Sequence, residues 1–287
     1  MTSTAQPAAD AGNGTALARR TSPLLHWALA LYAISAREIG KFIRQRGRWA
    51  SALIRPILWL VVFAAGIGSL LGISIVPPYK TYVTYQEYIM PGLLGIVLLF
   101  YGMQSSLSMV YDREMGMMRL LLTAPVPRSF LLLAKLVAGT LLSVLQAVAF
   151  LIIALLMGVD LPLAGCFQAL PALVLSGMML GALGLLLSVH VKQLENFAGT
   201  MNFVIFPMFF ISPALYPLWK LEESGAEWLH TAARFNPFSH AVELVRFALY
   251  GQIEWTSLSV VGVSLLLFFA LAVRGYDPQR GLIRQHN

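Results

Sequence analysis

The sequence predicts an all-α membrane protein with six transmembrane helices. Hydrophobic residues make up 58% of the 287 residues and charged residues only 11%, whereas a soluble domain carries about 25% charged residues. The apolar residues are concentrated in six long runs, and a helix needs about 20 apolar residues to cross a bilayer core. The six runs cover residues 56–76, 90–110, 136–158, 163–189, 197–216 and 258–273.

The Lys and Arg residues between the runs predict the orientation. With the N-terminus in the cytoplasm, 16 of the 20 Lys and Arg residues fall on the cytoplasmic side. Cytoplasmic loops carry such an excess, so both termini are predicted to be cytoplasmic. The net charge of +7 could suggest a nucleic-acid partner. Because the basic residues flank apolar runs and do not form a soluble face, no nucleic-acid partner is expected.

Composition divides the chain into four segments. Residues 1–21, rich in Ala, Thr and Gly, are predicted to be a disordered cytoplasmic tail. Residues 22–55 show apolar residues at near-helical spacing, which predicts a basic helix along the cytoplasmic interface before the chain turns inward at Arg55 and Pro56. The alternative is a plain basic flank of the first run. Residues 56–273 form the membrane domain and 274–287 a cytoplasmic tail.

The fifth run is the predicted substrate path. It carries Pro207 and Pro213, which predict a kinked or broken helix. It also offers an aromatic, Met-containing lining with one polar group, which would suit an amphipathic substrate better than a small ion. The alternative is ordinary lipid-facing or packed apolar surface. The predicted lining residues are Asn202, Phe203, Phe206, Met208 and Phe209.

A further helix is predicted in the outer segment between the fifth and sixth runs. Asn236 and Pro237 form a turn and helix-start signal. The residues that follow are largely apolar but include Glu243 and Arg246, so the helix is too charged to span a membrane. We predict a short re-entrant or interfacial element in the outer leaflet.

Several kinds of chemistry are missing from the sequence. It has no Walker motif for nucleotide phosphates, no metalloprotease motif and a single cysteine, Cys166. No metal site or catalytic site is predicted. The interiors of the six runs also contain no charged or His residues, although an ion-coupled transporter usually carries titratable groups at membrane depth. The runs therefore show no energy source of their own.

The loop after the second run, residues 111–128, has the most distinctive cytoplasmic sequence. It predicts a short helix with Met115, Met118 and Leu122 on one side, ended by Pro125 and Pro127. Exposed Met side chains form an adaptable docking face. The residues alone also fit an amphipathic helix that lies on the membrane.

This loop resembles the cytoplasmic signature of ABC-2 type permeases, the membrane subunits of one class of ATP-binding cassette exporters. The resemblance rests on Arg113-Glu114-x-Gly116, the stretch 121–128 and Lys135. It extends to the basic N-terminal helix, the six runs and the 236–246 segment. It implies that residues 111–123 form a coupling helix. The implied ATPase-coupling residues are Arg113, Glu114, Gly116, Met118, Arg119 and Pro125.

The resemblance also implies partners and a function. Two permease copies would pack around a path among the membrane lipids, and each would dock a separate ATPase subunit that binds ATP and Mg; this chain would bind no cofactor itself. The protein would be a non-enzymatic export permease of the plasma membrane, in bacteria the inner membrane. Drug exporters and nodulation-type lipo-oligosaccharide exporters look most similar, so the substrate would be a drug, lipid or oligosaccharide conjugate. The alternatives are an ATP-independent channel, an intramembrane enzyme and a non-transporting assembly subunit.

Overall fold

The computed structural model describes residues 23–44, 46–67, 77–79, 82–114, 127–191, 193–219 and 225–276. These residues form ten helices and no strand. In chain order, the helices are α1 (Pro23–Arg44), α2 (Arg46–Ile67), α3 (Tyr85–Glu114), α4 (Arg128–Leu156), α5 (Leu163–Gln168), α6 (Leu170–His190), α7 (Leu194–Phe210), α8 (Glu227–Phe235), α9 (Pro237–Leu249) and α10 (Trp255–Gly275).

Four segments are long and apolar enough to cross a membrane. They are Tyr85–Glu114, Ser129–Leu156, Leu163–His190 and Trp255–Gly275, and they coincide with the second, third, fourth and sixth predicted runs. At the first run, the apolar part of α2 is shorter and covers Leu53–Val62. The prediction of an all-α membrane protein is therefore confirmed, while the six crossings and their orientation stay predictions.

The fifth run forms a shorter helix than its apolar length allows. α7 has 17 residues, continues through Pro207 and ends at Phe210. Residues 211–216 then form bends and turns. The Ser212 hydroxyl accepts a hydrogen bond from the Ala214 N–H at 3.3 Å, and Pro213 restricts the residue before it to non-helical conformations. The predicted break thus lies after Phe210.

α3 is the central helix of the fold. It packs against α2, α4, α6, α7 and α9, and its side chains are buried along most of its length. Glycines allow α3 and α6 to approach closely, because a Cβ atom added at Gly102 would lie 3.0 Å from the Gly181 nitrogen. Small residues at such contacts are typical of packed membrane helices.

The segment of the predicted interface helix, residues 22–55, contains α1 and the first part of α2. α1 ends at Arg44 and α2 begins at Arg46, and the bounds of the interface helix stay a prediction. α2 continues through Pro56, which is buried. The predicted tail 1–21, residues 115–123 of the predicted coupling segment and the C-terminal tail beyond Tyr276 lie outside the described residues.

α9 begins at Pro237, where the Asn-Pro dipeptide predicts a helix start. The Asn236 side-chain oxygen accepts a hydrogen bond from the Phe238 N–H at 3.0 Å, which satisfies one of the unpaired donors at the helix N-terminus. Pro is favourable at the first helical position because it has no N–H to satisfy. α9 then packs against α3, α5, α6 and α10.

Candidate functional site

Three consecutive charged residues at the C-terminal end of α3 contact three different helices. We call Asp112, Arg113 and Glu114 the α3 anchor. The Lys135 Nζ atom of α4 donates to the Asp112 Oδ2 atom at 3.0 Å, and the side chains of Lys135 and Asp112 are only 8% and 3% exposed. A buried ion pair of this kind is strongly destabilised when one partner is removed.

Arg113 contacts the C-terminal end of α6. Its Nη2 atom donates to the carbonyl oxygens of Ser188, at 3.2 Å, and Val191, at 2.6 Å. The last carbonyls of a helix have no partner within the helix, and a cation near them also interacts favourably with the helix dipole. Arg113 therefore joins the end of α3 to the end of α6.

Glu114 contacts the N-terminal end of α7. Its Oε1 atom accepts a hydrogen bond from the N–H of Leu194, the first residue of α7, at 2.9 Å. The first N–H groups of a helix lack intrahelical partners and favour a negative charge. Arg113 and Glu114 thus satisfy the two facing helix ends of the short α6–α7 connection.

The α3 anchor lies directly before the predicted coupling segment. Through it, a displacement of the chain after Glu114 would act on α4, α6 and α7 together. Of the predicted coupling residues, Arg113 and Glu114 are in the anchor. The others, Gly116, Met118, Arg119 and Pro125, lie outside the described residues.

A pocket of about 200 Å³ lies between α2, α3, α4 and α7. We call it the Arg55 pocket. It combines aromatic walls with a cation and three side-chain amides. The aromatic lining residues include Trp59 and Phe100. The polar lining residues include Arg55, Gln104, Gln146 and Asn202.

The structure separates the residues of the predicted substrate path. Asn202 lines the Arg55 pocket, and the ring of Phe206 lies 6.3 Å from that of Phe100 at its rim. Phe203 is 79% exposed and points away from the packed core. Phe209 is fully buried and packs against Trp59 and Phe238, while Met208 packs against the core. One of the five residues, Asn202, therefore lines the pocket, and a second, Phe206, contacts the lining residue Phe100.

Arg55 and Gln146 are polar pocket residues that sequence reasoning missed. The run boundaries placed Arg55 at the cytoplasmic start of the first run, but its Cζ atom lies 4.1 Å from the centroid of the Phe100 ring, midway along α3. Gln146 is 1% exposed, and its Nε2 atom has no hydrogen-bond partner in the described part of the chain. The available signal was a Gln inside the third run, an otherwise apolar stretch.

The predicted outer residues surround the turn after α7. The buried Arg246 donates through Nη2 to the Pro213 carbonyl oxygen at 2.6 Å and pairs with Glu243. Its Cζ atom lies 4.3 Å from the centroid of the Tyr88 ring. The Asn236 Nδ2 atom donates to the Met208 and Ile211 carbonyl oxygens. The α8–α9 junction thus holds the end of α7 in place.

A family model identifies the protein family to which this chain belongs. The family model of the ABC-2 type transporter matches residues 30–250, which includes the α3 anchor and the Arg55 pocket. The chain belongs to the ABC-2 type transporter family. It is a multi-pass transport permease component of an ABC transporter, and members of the family work with an ATP-binding cassette subunit.

Individual relatives agree with the family. A protein named as a transport permease, ycf38 of Porphyra purpurea, is 29% identical over 75% of this chain and 72% of its own. The inner membrane transport permease YadH of Escherichia coli strain K12 is 23% identical over 90% of this chain and 98% of its own. Nodulation protein J of Rhizobium leguminosarum bv. trifolii is 32% identical over 29% of this chain and 30% of its own.

Proposed function

We propose that this permease exports an amphipathic or lipid-linked substrate from the cytoplasm, driven by ATP hydrolysis in a separate ATPase subunit. The observation that carries the proposal is the α3 anchor. It joins the helix that precedes the predicted coupling segment to α4, α6 and α7. A transporter without its own nucleotide site needs such a connection between the docking segment and its membrane helices.

The proposed cycle begins at the coupling segment, residues 111–123. Closure of two ATPase subunits on ATP would push this segment, and the basic α1 helix would complete the docking cleft. The α3 anchor would pass the displacement to α4, α6 and α7 as a rigid-body shift of packed helices. Because α7 and α4 line the Arg55 pocket, this movement would change access to the pocket.

A second copy of the permease would complete the path. α2 and α7 contact each other locally, since the Trp59 and Phe210 rings are 6.1 Å apart. Both helices expose large apolar side chains next to the Arg55 pocket, which supports either a lipid-facing or a subunit-facing surface. We assign this surface to the partner permease. Its exposed residues include Ile54, Leu58, Val62, Phe203 and Phe210.

The relative named as an inner membrane transport permease supports a location in the plasma membrane, in bacteria the inner membrane. The mixed aromatic and polar walls of the Arg55 pocket support an amphipathic cargo such as a drug, a lipid or an oligosaccharide conjugate. ATP and Mg would be bound by the ATPase subunit.

The proposal is tested by co-expressing the chain with its ATPase subunit. We expect the two to co-purify, and we expect the permease to stimulate ATP hydrolysis in proteoliposomes. Met118→Asp should abolish both effects by placing a charge on the docking face, while insertion into the membrane is retained. Glu114→Arg should do the same, because it also repels the α7 N-terminus.

The matched control is Glu227→Arg, the same charge reversal at the exposed first residue of α8 on the predicted outer side. This variant should leave co-purification and ATPase stimulation unchanged. Unchanged co-purification of Met118→Asp and Glu114→Arg would contradict the docking assignment. Transport by the purified chain without any ATPase subunit would favour the ATP-independent channel instead.

A further inference from the structure

The Arg55 pocket contains a cation without a carboxylate partner. The Arg55 guanidinium lies over the Phe100 ring, with its Cζ atom 4.1 Å from the ring centroid. Among the described residues it has no hydrogen-bond or ion-pair partner. Stacking on the ring holds the guanidinium in place by a cation–π interaction and leaves its N–H groups available.

The Arg55 side chain is exposed, yet it lies beside the middle of a helix of membrane-spanning length, which makes this cation unusual. Phe100 lies halfway along α3, so Arg55 is about 22 Å from either end of that helix at 1.5 Å per residue. α3 is long and apolar enough to span a membrane, and a bilayer core is about 30 Å thick. An ionisable residue inside the membrane is energetically unfavourable, and such residues typically mark a substrate path.

A second, independent donor lies in the same pocket. Gln146 on α4 is 1% exposed, and its Nε2 atom makes no hydrogen bond to any residue that the structure describes. A buried donor without a partner is destabilising, so such groups in native proteins call for an explanation. The Gln146 Nε2 atom and the Arg55 guanidinium are both hydrogen-bond donors, which matches a ligand rich in acceptor oxygens.

We propose that the Arg55 pocket binds the anionic head group of an amphiphile, a phosphate or carboxylate, with Arg55 as the charge contact and Gln146 as the buried donor. The guanidinium presents a planar fork of donors that pairs with either oxyanion through two parallel hydrogen bonds. This deepens the proposed export function and rests on it, since it names the chemistry of the exported cargo.

The surroundings of the pocket accommodate the apolar part of such a molecule. Phe206 lies at the rim against Phe100, and its ring stacks with Phe210 at a centroid distance of 6.3 Å. Ile54 and Leu58 are exposed on the adjoining helix α2. An acyl chain would lie along this apolar strip, between this chain and the partner permease that we assign to the same surface, while its head group occupies the pocket.

Binding of hexadecyl phosphate to the full chain in nanodiscs of zwitterionic lipid tests the proposal. The ATPase subunit is left out, so the outcome does not depend on coupling. Native mass spectrometry should detect hexadecyl phosphate bound to the wild-type chain more tightly than dodecyl maltoside, a neutral amphiphile. Arg55→Gln should weaken this binding by about tenfold or more, because a charge-assisted hydrogen bond is lost. Gln146→Leu should weaken it several-fold.

Arg55→Lys keeps the charge but loses the fork, so its binding should lie between wild type and Arg55→Gln. Arg274→Gln removes an exposed arginine in the last turn of α10, and this control should bind like wild type. Unfolding midpoints and gel-filtration profiles show whether each variant is folded. If Arg55→Gln is unfolded, the Arg55→Lys and Gln146→Leu results decide.

Three outcomes would overturn the proposal. The first is equal binding of hexadecyl phosphate and dodecyl maltoside. The second is unchanged binding in folded Arg55 and Gln146 variants. The third is full competition by inorganic phosphate alone, which would assign the pocket to a soluble anion. Failure of ATPase co-purification together with intact Arg55-dependent binding would instead contradict the proposed coupling and leave the site in place.

Discussion

Two polar regions along α3 differ in how the protein satisfies their polar groups. In the α3 anchor, Asp112, Arg113 and Glu114 each have a partner within 3.2 Å on another part of the chain. Among the described residues of the Arg55 pocket, the guanidinium contacts an aromatic ring and no hydrogen-bond acceptor, and the Gln146 amide nitrogen has no partner. The two regions are about 20 Å apart along one helix.

The difference indicates different roles. Polar groups that are fully paired hold helices in a fixed arrangement, whereas unpaired buried groups reduce stability. The α3 anchor therefore stabilises the fold and, in the proposed cycle, would transmit force, while in our proposal the Arg55 pocket reserves its donors for a ligand. Substitutions in the anchor should lower stability, and substitutions in the pocket should not.

The largest expected effect is that of Lys135→Ala. It leaves the Asp112 carboxylate buried without its counter-ion, which we expect to lower the free energy of unfolding by about 3–5 kcal/mol. SDS-induced unfolding in dodecyl maltoside micelles measures the change. The double variant Lys135→Met with Asp112→Leu should recover most of the loss, because no charge remains buried. Wild-type stability of Lys135→Ala would show that the pair does not hold α3 to α4.

Arg113→Ala should have a smaller effect. It removes two hydrogen bonds to the carbonyl oxygens at the end of α6, and each contributes about 1 kcal/mol because the Arg113 side chain is only half-buried. The same unfolding measurement should show a loss of about 2 kcal/mol. The control Arg234→Ala replaces an exposed arginine and should change stability by less than about 0.5 kcal/mol. If the free energy of unfolding fell equally in the two variants, Arg113 would contribute no more to stability than an exposed arginine.

Gln146→Leu should change stability in the opposite direction. It replaces an unpartnered buried amide by an apolar group of similar size, so we expect the free energy of unfolding to rise by about 1 kcal/mol. Gln168→Leu, at an exposed position of α5, is the matched control and should be neutral. A destabilised Gln146→Leu variant would mean that the amide supports the fold, and the two regions would no longer differ.

Glu114→Gln should have the smallest effect. Glu114 is exposed, and the new amide oxygen still accepts the hydrogen bond from Leu194. Only the charge near the α7 N-terminus is lost, which corresponds to about 0.5 kcal/mol. A loss as large as that of Arg113→Ala, measured in the same micelles, would show that the Glu114 charge is more important than its exposure indicates.

The sequence alone was sufficient for features that depend on neighbouring residues. Four crossing-length helices coincide with predicted runs because length and hydropathy determine them. The start of α9 at Pro237 follows from the Asn236 side chain and the proline beside it. The family signature around Arg113 and Glu114 was likewise readable from adjacent residues, and the family is confirmed.

Only the tertiary structure decided which polar groups are paired. Asp112, Lys135 and Arg55 all lie one or two positions outside the predicted runs, so hydropathy treated them alike as solvated flanks. Helix packing separated them: α3 and α4 bring Asp112 and Lys135 together across 23 positions, whereas α2 places Arg55 beside the middle of α3. The offset of one packed helix along another determines where each charged side chain lies and which partner it meets. This offset depends on long-range contacts that a single sequence does not reveal.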